Sequence, residues 1–448
     1  MNLDRPDLSS FSSTTKALFS RVRGHIEPGS HRMLRLLSNQ TLSKLARIPT
    51  ILVGGTNGKG TICAILEKTF RDHGLRTALY TSPHLVSPTE RIRFSGLPIS
   101  TELFLRYSRM SFEAAQGKLP DATFFELMTA LAFEAIAASE VEIFICEVGL
   151  GGRMDSTNIL SPDLSILTSI GLDHTEWLGS TEEKIAFEKS FISRRNRPLI
   201  IGPISQSAKM GISSALEITG AKAVFIEPLD EDSTIDHFVS PHVSDSQTDS
   251  VQRPSKNAVP LPSLEICREA LRHLSHRDGL KFSPDQLFAS AQSTRWPGRA
   301  DLRTINATPV LLDGAHNSHG VSYFLSHTLR DTVLKFLPTP WFVVFASLSD
   351  KDWSRCIDLL TPHANTMIFT QTQSTRAVPA ISLFQYTREA QPDARCLMSE
   401  ASSEALTEGL RLAAEQKGTL LVLGSLTLIG EAMEFFHLPV FTEFEPGD

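Results

Sequence analysis

The stretch ILVGGTNGKGTICAIL, residues 51–66, decides how this chain is read. With Thr50 before it, the run to Gly54 reads as a short buried parallel strand ending in glycine. Ile62, Ile65, Leu66, Thr69 and Phe70 then recur at helical spacing, and Gly74 can stop the helix. GGTNGKGT joins the two. Its glycines let backbone N–H groups approach phosphate oxygens, and Lys59 can neutralise charge on the outer phosphates. Thr61 can cap the helix and lie near a metal. The common phosphate loop sets Ser or Thr directly after its lysine, whereas here Gly60 intervenes. Strand, loop, lysine and helix together predict a nucleotide loop of a different build.

The surrounding chain suits such a loop. Its 448 residues allow two or three ordinary domains, and 41% hydrophobic against 21% charged residues gives a soluble chain with ample core. A net charge of -7 argues against nucleic acid as partner. No apolar run is long enough for a membrane span, and the N-terminus lacks a secretory pattern. Five scattered cysteines without CxxC spacing fit reduced thiols in the cytoplasm.

Strands and helices alternate. RTALYT, VEIFICEVG, LSILTSIG, LIIG and AVFIE read as strands, and FFELMTALAFEAIAAS as a buried helix. This predicts a phosphate-loop-containing doubly wound, mostly parallel α/β sheet over residues 1–296. Residues 230–258 are polar and read as a long surface excursion. LPSLEICREALRHLSHR reads as a helix. After a boundary near Trp296 comes a second series, PVLLDGAHN, WFVVFASL, TMIFTQT, ARCLM and TLLVLGS. It predicts a smaller Rossmann-like α/β domain over residues 297–448.

Chemistry-bearing residues follow the strands, where open α/β sheets gather ligands. Ser82 in YTSPHLVSPTERIR offers a hydroxyl to Mg²⁺, although Ser-Pro after a strand is more often a plain turn. Arg91 and Arg93 suit an acidic substrate or, as exposed arginines usually are, plain solvation. Glu147 in CEVGLGGRMDSTN ends an apolar run, an expensive place for an unpaired carboxylate; a metal or a buried salt bridge explains it equally well. Gly149, Gly151 and Gly152 read as a flexible turn beside it. His174 in SIGLDHTEWLG is a ligand, a base or a core histidine. Lys189 in EKSFI, among apolar neighbours, is a snorkelling lysine or a modifiable amine. In the second half, Arg299 in WPGRAD and Asp313, His316 and Asn317 in LLDGAHNSHG predict that this domain also faces the nucleotide.

Taken in order, these motifs, with TFFELMTALAF, LPLPS, SLSDKDW and LVLGSLTLIGEA, resemble the folylpolyglutamate synthase/dihydrofolate synthase family of the Mur ligases, in its bacterial bifunctional type. The resemblance implies a ligase that uses ATP to phosphorylate a pteroate or folate carboxylate and joins L-glutamate to the acyl phosphate. It implies Lys59, Lys189 and His316 as candidate catalytic residues, with Lys189 carbamylated. Asn57, Gly58, Lys59, Gly60, Thr61, Ser263, Arg299 and Asp313 would bind ATP. Ser82, Glu147 and His174 would hold Mg²⁺. Gly29, Ser30, Thr123, Phe124, Phe125, Glu126, Met154, Asp155 and Ser156 would meet dihydropteroate or a reduced folate, although phenylalanines there serve a core equally well. Two Mg²⁺ ions, a monovalent cation and a monomer belong to the same picture. Two departures stand out. Ser263 replaces a frequent Asn, and IEPGSHRM replaces a segment usually resembling GLERM. The choice between dihydrofolate synthase, folylpolyglutamate synthase and both stays open.

Two rivals are weaker. A cell-wall Mur ligase carries a sizeable domain before its loop, and only about 50 residues precede Gly54. A nucleotide switch explains neither the metal-type residues nor Arg299 and Asp313.

Overall fold

The computed structural model describes residues 6–21, 29–227, 261–278, 281–329 and 337–441. The polar stretch 230–258 lies outside them. The chain divides into two compact units, one formed up to residue 227 together with Glu265–Phe282, the other mainly from Ser283 onward. The second takes in the helix Pro284–Ser293, which the sequence reading places ahead of its boundary at Trp296.

The first unit is built on eight strands: β1 (Thr50–Gly54), β2 (Thr77–Tyr80), β3 (Ile92–Phe94), β4 (Leu97–Pro98), β5 (Ile143–Glu147), β6 (Leu164–Leu167), β7 (Pro198–Ile201) and β8 (Lys222–Phe225). They lie in the order β4-β3-β2-β5-β1-β6-β7-β8. All pairs are parallel except the edge hairpin β2-β3-β4, which the sequence reading did not separate from the loop TERIR. Every residue of β1 and β5 is buried, as strands covered on both faces require. The helix Phe124–Ala137 is buried almost all round, as its apolar sequence predicts.

The order of strands fixes where a ligand can sit. The chain leaves β1 through the helix Lys59–Asp72 toward β2, on one side. It leaves β5 toward β6, and β6 toward β7, on the other. The loop after β1 therefore stands at a topological switch point, where a crevice opens beyond the strand ends. Register places Val53 beside Glu147 and Gly54 beside Leu167.

The second unit holds β9 (Asp301–Ile305), β10 (Thr308–Leu312), β11 (Trp341–Phe345), β12 (Thr366–Phe369), β13 (Cys396–Met398) and β14 (Thr419–Leu423). Their order is β13-β12-β11-β14-β10-β9, parallel apart from β9. Both sheets are thus the doubly wound α/β type expected. Among the described residues, no helix is long and apolar enough to cross a membrane.

Candidate active site

The loop after β1 is stapled to the segment after β6. Thr56 N–H donates to the Ser169 carbonyl (2.8 Å), and Asn57 N–H to Ser169 Oγ (3.0 Å). Thr168 Oγ1 donates to the carbonyls of Asn57 (2.6 Å) and Gly54 (3.2 Å). Gly171 N–H donates to Thr56 Oγ1 (3.1 Å). Gly55 has φ +134°, and a Cβ there would meet Thr168 Oγ1 at 2.1 Å, so both its conformation and the close approach demand glycine. Gly58, in the left-handed region, turns the chain into the helix Lys59–Asp72 and stands at its N-cap without a side-chain cap. The first-turn N–H groups and the positive helix end are thus presented at the crevice. Because the helix starts at Lys59, Thr61 lies inside its first turn. It is not the cap that the sequence reading expects. Gly60 is likewise helical, not left-handed.

Two ammonium groups converge on one carbonyl. Lys59 Nζ donates to Gly55 O (3.2 Å) and Thr56 O (3.1 Å). Lys189 Nζ, on the helix Glu182–Ser190, donates to the same Gly55 O (3.0 Å), and Lys189 is only 5% exposed. Plain snorkelling is therefore not its arrangement.

Glu147, at the end of β5, is 4% exposed and accepts the Ser82 N–H (3.0 Å). The structure thus brings Ser82 and Glu147 together beside the loop. His174 follows Gly171 by three residues. It adopts φ +51° before the short helix Thr175–Leu178, with Nε2 3.9 Å from Asp173. Arg91 and Arg93, read as exposed when solvated, are both buried.

The segment after β5 is packed, not a flexible turn. A Cβ on Gly149 would meet the Phe125 ring at 2.3 Å, and one on Gly152 would meet the Lys189 carbonyl at 2.6 Å. Asp155 organises it by accepting from Leu150 N–H (2.8 Å) and Thr157 N–H (2.9 Å). Burial pushes its carboxyl above the usual range, against those hydrogen bonds. Ser156 is buried in the turn that follows, and Met154 is exposed.

Thr123 and Glu126 form a capping box at the start of the helix Phe124–Ala137. Glu126 also receives Arg32 (2.6 and 3.3 Å), a buried arginine that reaches Asp121 as well (3.1 Å). Gly29 and Ser30 lead into Arg32's helix, His31–Leu36. The 94-residue gap between Arg32 and Glu126 left this pair without a local signal. Phe124 carries Arg91 above its ring (5.0 Å) and stacks with Phe19. His84 accepts from Arg91 Nε (2.8 Å). Burial first, then Arg91, lowers its pKa to about 3. Phe19, His84, Arg32, Thr168 and Ser169 were not singled out as site residues from sequence.

In the second unit, Asp313 follows β10 and accepts from Ala300 N–H (2.7 Å) and Ala315 N–H (2.8 Å). Burial raises its pKa, opposed by the Arg299 charge. Arg299 lies along Gly314, whose carbonyl meets His316 Nδ1 (2.7 Å), so Arg299, Asp313 and His316 gather around one glycine. Asn317 caps the next helix through Gly320 N–H (2.7 Å). Ser263 is buried in the first turn of the helix Leu261–Asp278.

Known proteins resemble this chain in sequence and in fold. The Mur ligase middle domain family matches residues 53–203. The dihydrofolate synthase/folylpolyglutamate synthase of Buchnera aphidicola subsp. Schizaphis graminum is 31% identical over 390 residues, covering 85% of this chain and 86% of that protein. The probable dihydrofolate synthetase of Schizosaccharomyces pombe is 29% identical over 428 residues, 93% of this chain and all (100%) of the relative. Among solved structures, E. coli FolC in complex with DHPP and ADP superposes with TM-score 0.77 at 27% identity, over 96% of this chain and 99% of that one. A bifunctional folylpolyglutamate synthase/dihydrofolate synthase with Mn, AMPPNP and L-glutamate bound has TM-score 0.77 at 27% identity, over 97% and 100%.

Loop, fold and relatives define a carbon–nitrogen ligase of the Mur ligase class. Within that class, the chain belongs to the dihydrofolate synthase/folylpolyglutamate synthase family.

Two substitutions separate loop geometry from ligand contact. Gly55→Ala collides with Thr168 and should lower unfolding stability by about 2 kcal/mol or more. Gly60→Ala occupies ordinary helix and should hold stability or raise it by up to about 1 kcal/mol, so any loss of nucleotide affinity in it reports on the ligand. Urea unfolding and ATP titration measure both. Arg32→Met leaves Glu126 buried with its ion-pair partner removed and should destabilise by about 3 kcal/mol, read from the same unfolding curves.

Proposed function

We propose that the chain binds ATP at Asn57–Thr61 and, through its second unit, at Ser263, Arg299 and Asp313, and uses it to activate the carboxylate of dihydropteroate or a reduced folate. The carboxylate oxygen attacks the γ-phosphorus, the bond to the β-phosphate oxygen breaks, and ADP leaves. The amine of L-glutamate attacks the carbonyl carbon of the acyl phosphate. The tetrahedral intermediate expels phosphate, the nitrogen loses its proton, and an amide remains. Phosphoryl transfer demands mainly positioning and charge neutralisation. The observation that carries this reading is the Lys59 ammonium, held at the mouth of an uncapped helix N-terminus at the switch point.

The donor set fits Mg²⁺. Glu147 is a buried carboxylate that accepts the Ser82 N–H, a hard oxygen group of the kind Mg²⁺ takes. Mg²⁺ keeps most of its waters and takes few protein ligands, so Ser82, Glu147 and His174 are an adequate set. When bound, the ion offsets charge on the phosphates during transfer. Two such ions, a monovalent cation, a monomeric state and a cytoplasmic location belong to the same reading.

Carbamylation of Lys189 has a physical rationale. Two cations sharing the Gly55 carbonyl repel each other. A carbamate turns one of them into an anion beside Lys59. Thr123, Phe124, Phe125, Glu126, Met154, Asp155, Ser156, Gly29 and Ser30 would shape the acceptor site. Asp155 and Glu126 act by bracing their segments through the bonds described above, and His316 would stand near the phosphates.

The direct assay supplies ATP, Mg²⁺ and labelled glutamate with dihydropteroate or tetrahydrofolate separately. Acceptor-dependent incorporation is expected, and ATP turnover that ignores both acceptor and glutamate would refute the ligase reading. Lys59→Ala should reduce the rate by about 10²–10³-fold without altering the unfolding midpoint. Lys189→Ala should lose activity and regain part of it with added short carboxylates. Wild-type rates in that variant would remove the carbamate role.

A further inference from the structure

Phe19 is the last residue of the helix Phe11–Phe19 and is 51% exposed. It stacks on Phe124 with centroids 5.1 Å apart and planes at 18°, and lies 5.7 Å from His84. That exposure lets a planar ring reach it from solvent. Arg91 fixes the other members. Its guanidinium sits 5.0 Å from the Phe124 centroid, and its Nε–H donates to His84 Nδ1. A guanidinium has no acceptor, so Nδ1 carries no proton and the ring hydrogen is on Nε2. His84 thereby offers one N–H donor of fixed direction beside two aromatic rings.

The helix bearing Phe19 is tied at both ends. Arg109 Nε donates to Leu8 O (3.1 Å) before it, and Arg21 Nη1 to Pro120 O (2.5 Å) after it. The hydroxyls of Thr14 and Thr15, and of Ser108 and Ser111 on the helix Thr101–Lys118 against which it packs, are buried with no hydrogen-bond partner among the described residues. Buried hydroxyls without partners weaken a contact.

We propose that Phe19 and His84 determine acceptor recognition. The ring of Phe19 stacks with the planar heteroaromatic end of the acceptor, and His84 Nε2–H donates to an acceptor atom on its edge. Arg91 is the positioning residue that sets the His84 tautomer. The proposal rests on the ligase reading, because it takes the start of the helix Phe124–Ala137 as the place the acceptor reaches. Stacking on an aromatic side chain is tolerant of the partner's substituents, whereas the single donor fixes orientation.

The test is steady-state glutamate incorporation with each substrate varied in turn. Phe19→Ala and Phe19→Leu should raise the acceptor KM about tenfold while leaving the KM values for ATP and glutamate unchanged. Phe19→Tyr should keep the wild-type acceptor KM, and His84→Leu should raise it. The Phe19→Leu variant keeps an apolar side chain at the position, so it serves if the alanine variant folds poorly. Unchanged acceptor KM in folded Phe19→Leu, or an equal rise for all three substrates, would overturn the proposal while wild-type turnover upholds the ligase reading. If the wild type incorporates no glutamate with either acceptor, the ligase reading fails and this proposal with it.

Discussion

The Gly55 carbonyl is the point on which this structure turns. It receives the ammonium groups of both Lys59 and Lys189, from two helices that approach the end of β1 from different parts of the chain. Like charges held that close are stable only where the surroundings offer negative charge or dipoles in return. The buried carboxylate of Glu147, beside β1 in register, is one such group. An anionic phosphate is another. In the unmodified chain positive charge thus gathers at the Gly55 carbonyl, an arrangement of the kind that electrostatic preorganisation of phosphoryl transfer uses.

That convergence depends on glycines used for space as much as for conformation. Gly55 lets Thr168 close on the loop, Gly152 lets the segment after β5 lie on the backbone of Lys189, and Gly149 admits the ring of Phe125. Of these contacts, the one at Gly152 joins the segment that carries Met154 and Asp155 to the helix that carries Lys189. A side chain at any of them would push apart groups that the chemistry needs within a few ångströms.

Much of this was legible in the chain. The loop, its strand and its helix follow local rules of periodicity and glycine placement, and the strands after it are short apolar runs that only a covered parallel sheet explains. Ser82 and Glu147 stood out at the ends of strands and Lys189 among apolar neighbours, while the roles proposed for them came from the family resemblance. Long-range partnerships left no such signal. Arg32 and Glu126 are joined only by tertiary packing, and Phe19 meets Phe124 from a helix more than a hundred residues earlier. The hairpin of β3 and β4 was hidden because TERIRF mixes charge with apolar residues, and its arginines are buried by their neighbours instead of exposed. Thr61 was misplaced as the cap because the N-cap, three residues earlier, is Gly58 and not a hydroxyl side chain.

The account makes the acceptor carboxylate, and not water or the amine, the group that first meets the γ-phosphate. Isotopic oxygen placed in that carboxylate follows the bond that breaks. If the acceptor is activated as an acyl phosphate, one labelled oxygen leaves with the released phosphate, which mass spectrometry of the phosphate detects. Glutamate incorporated at the normal rate with phosphate free of label would contradict the account.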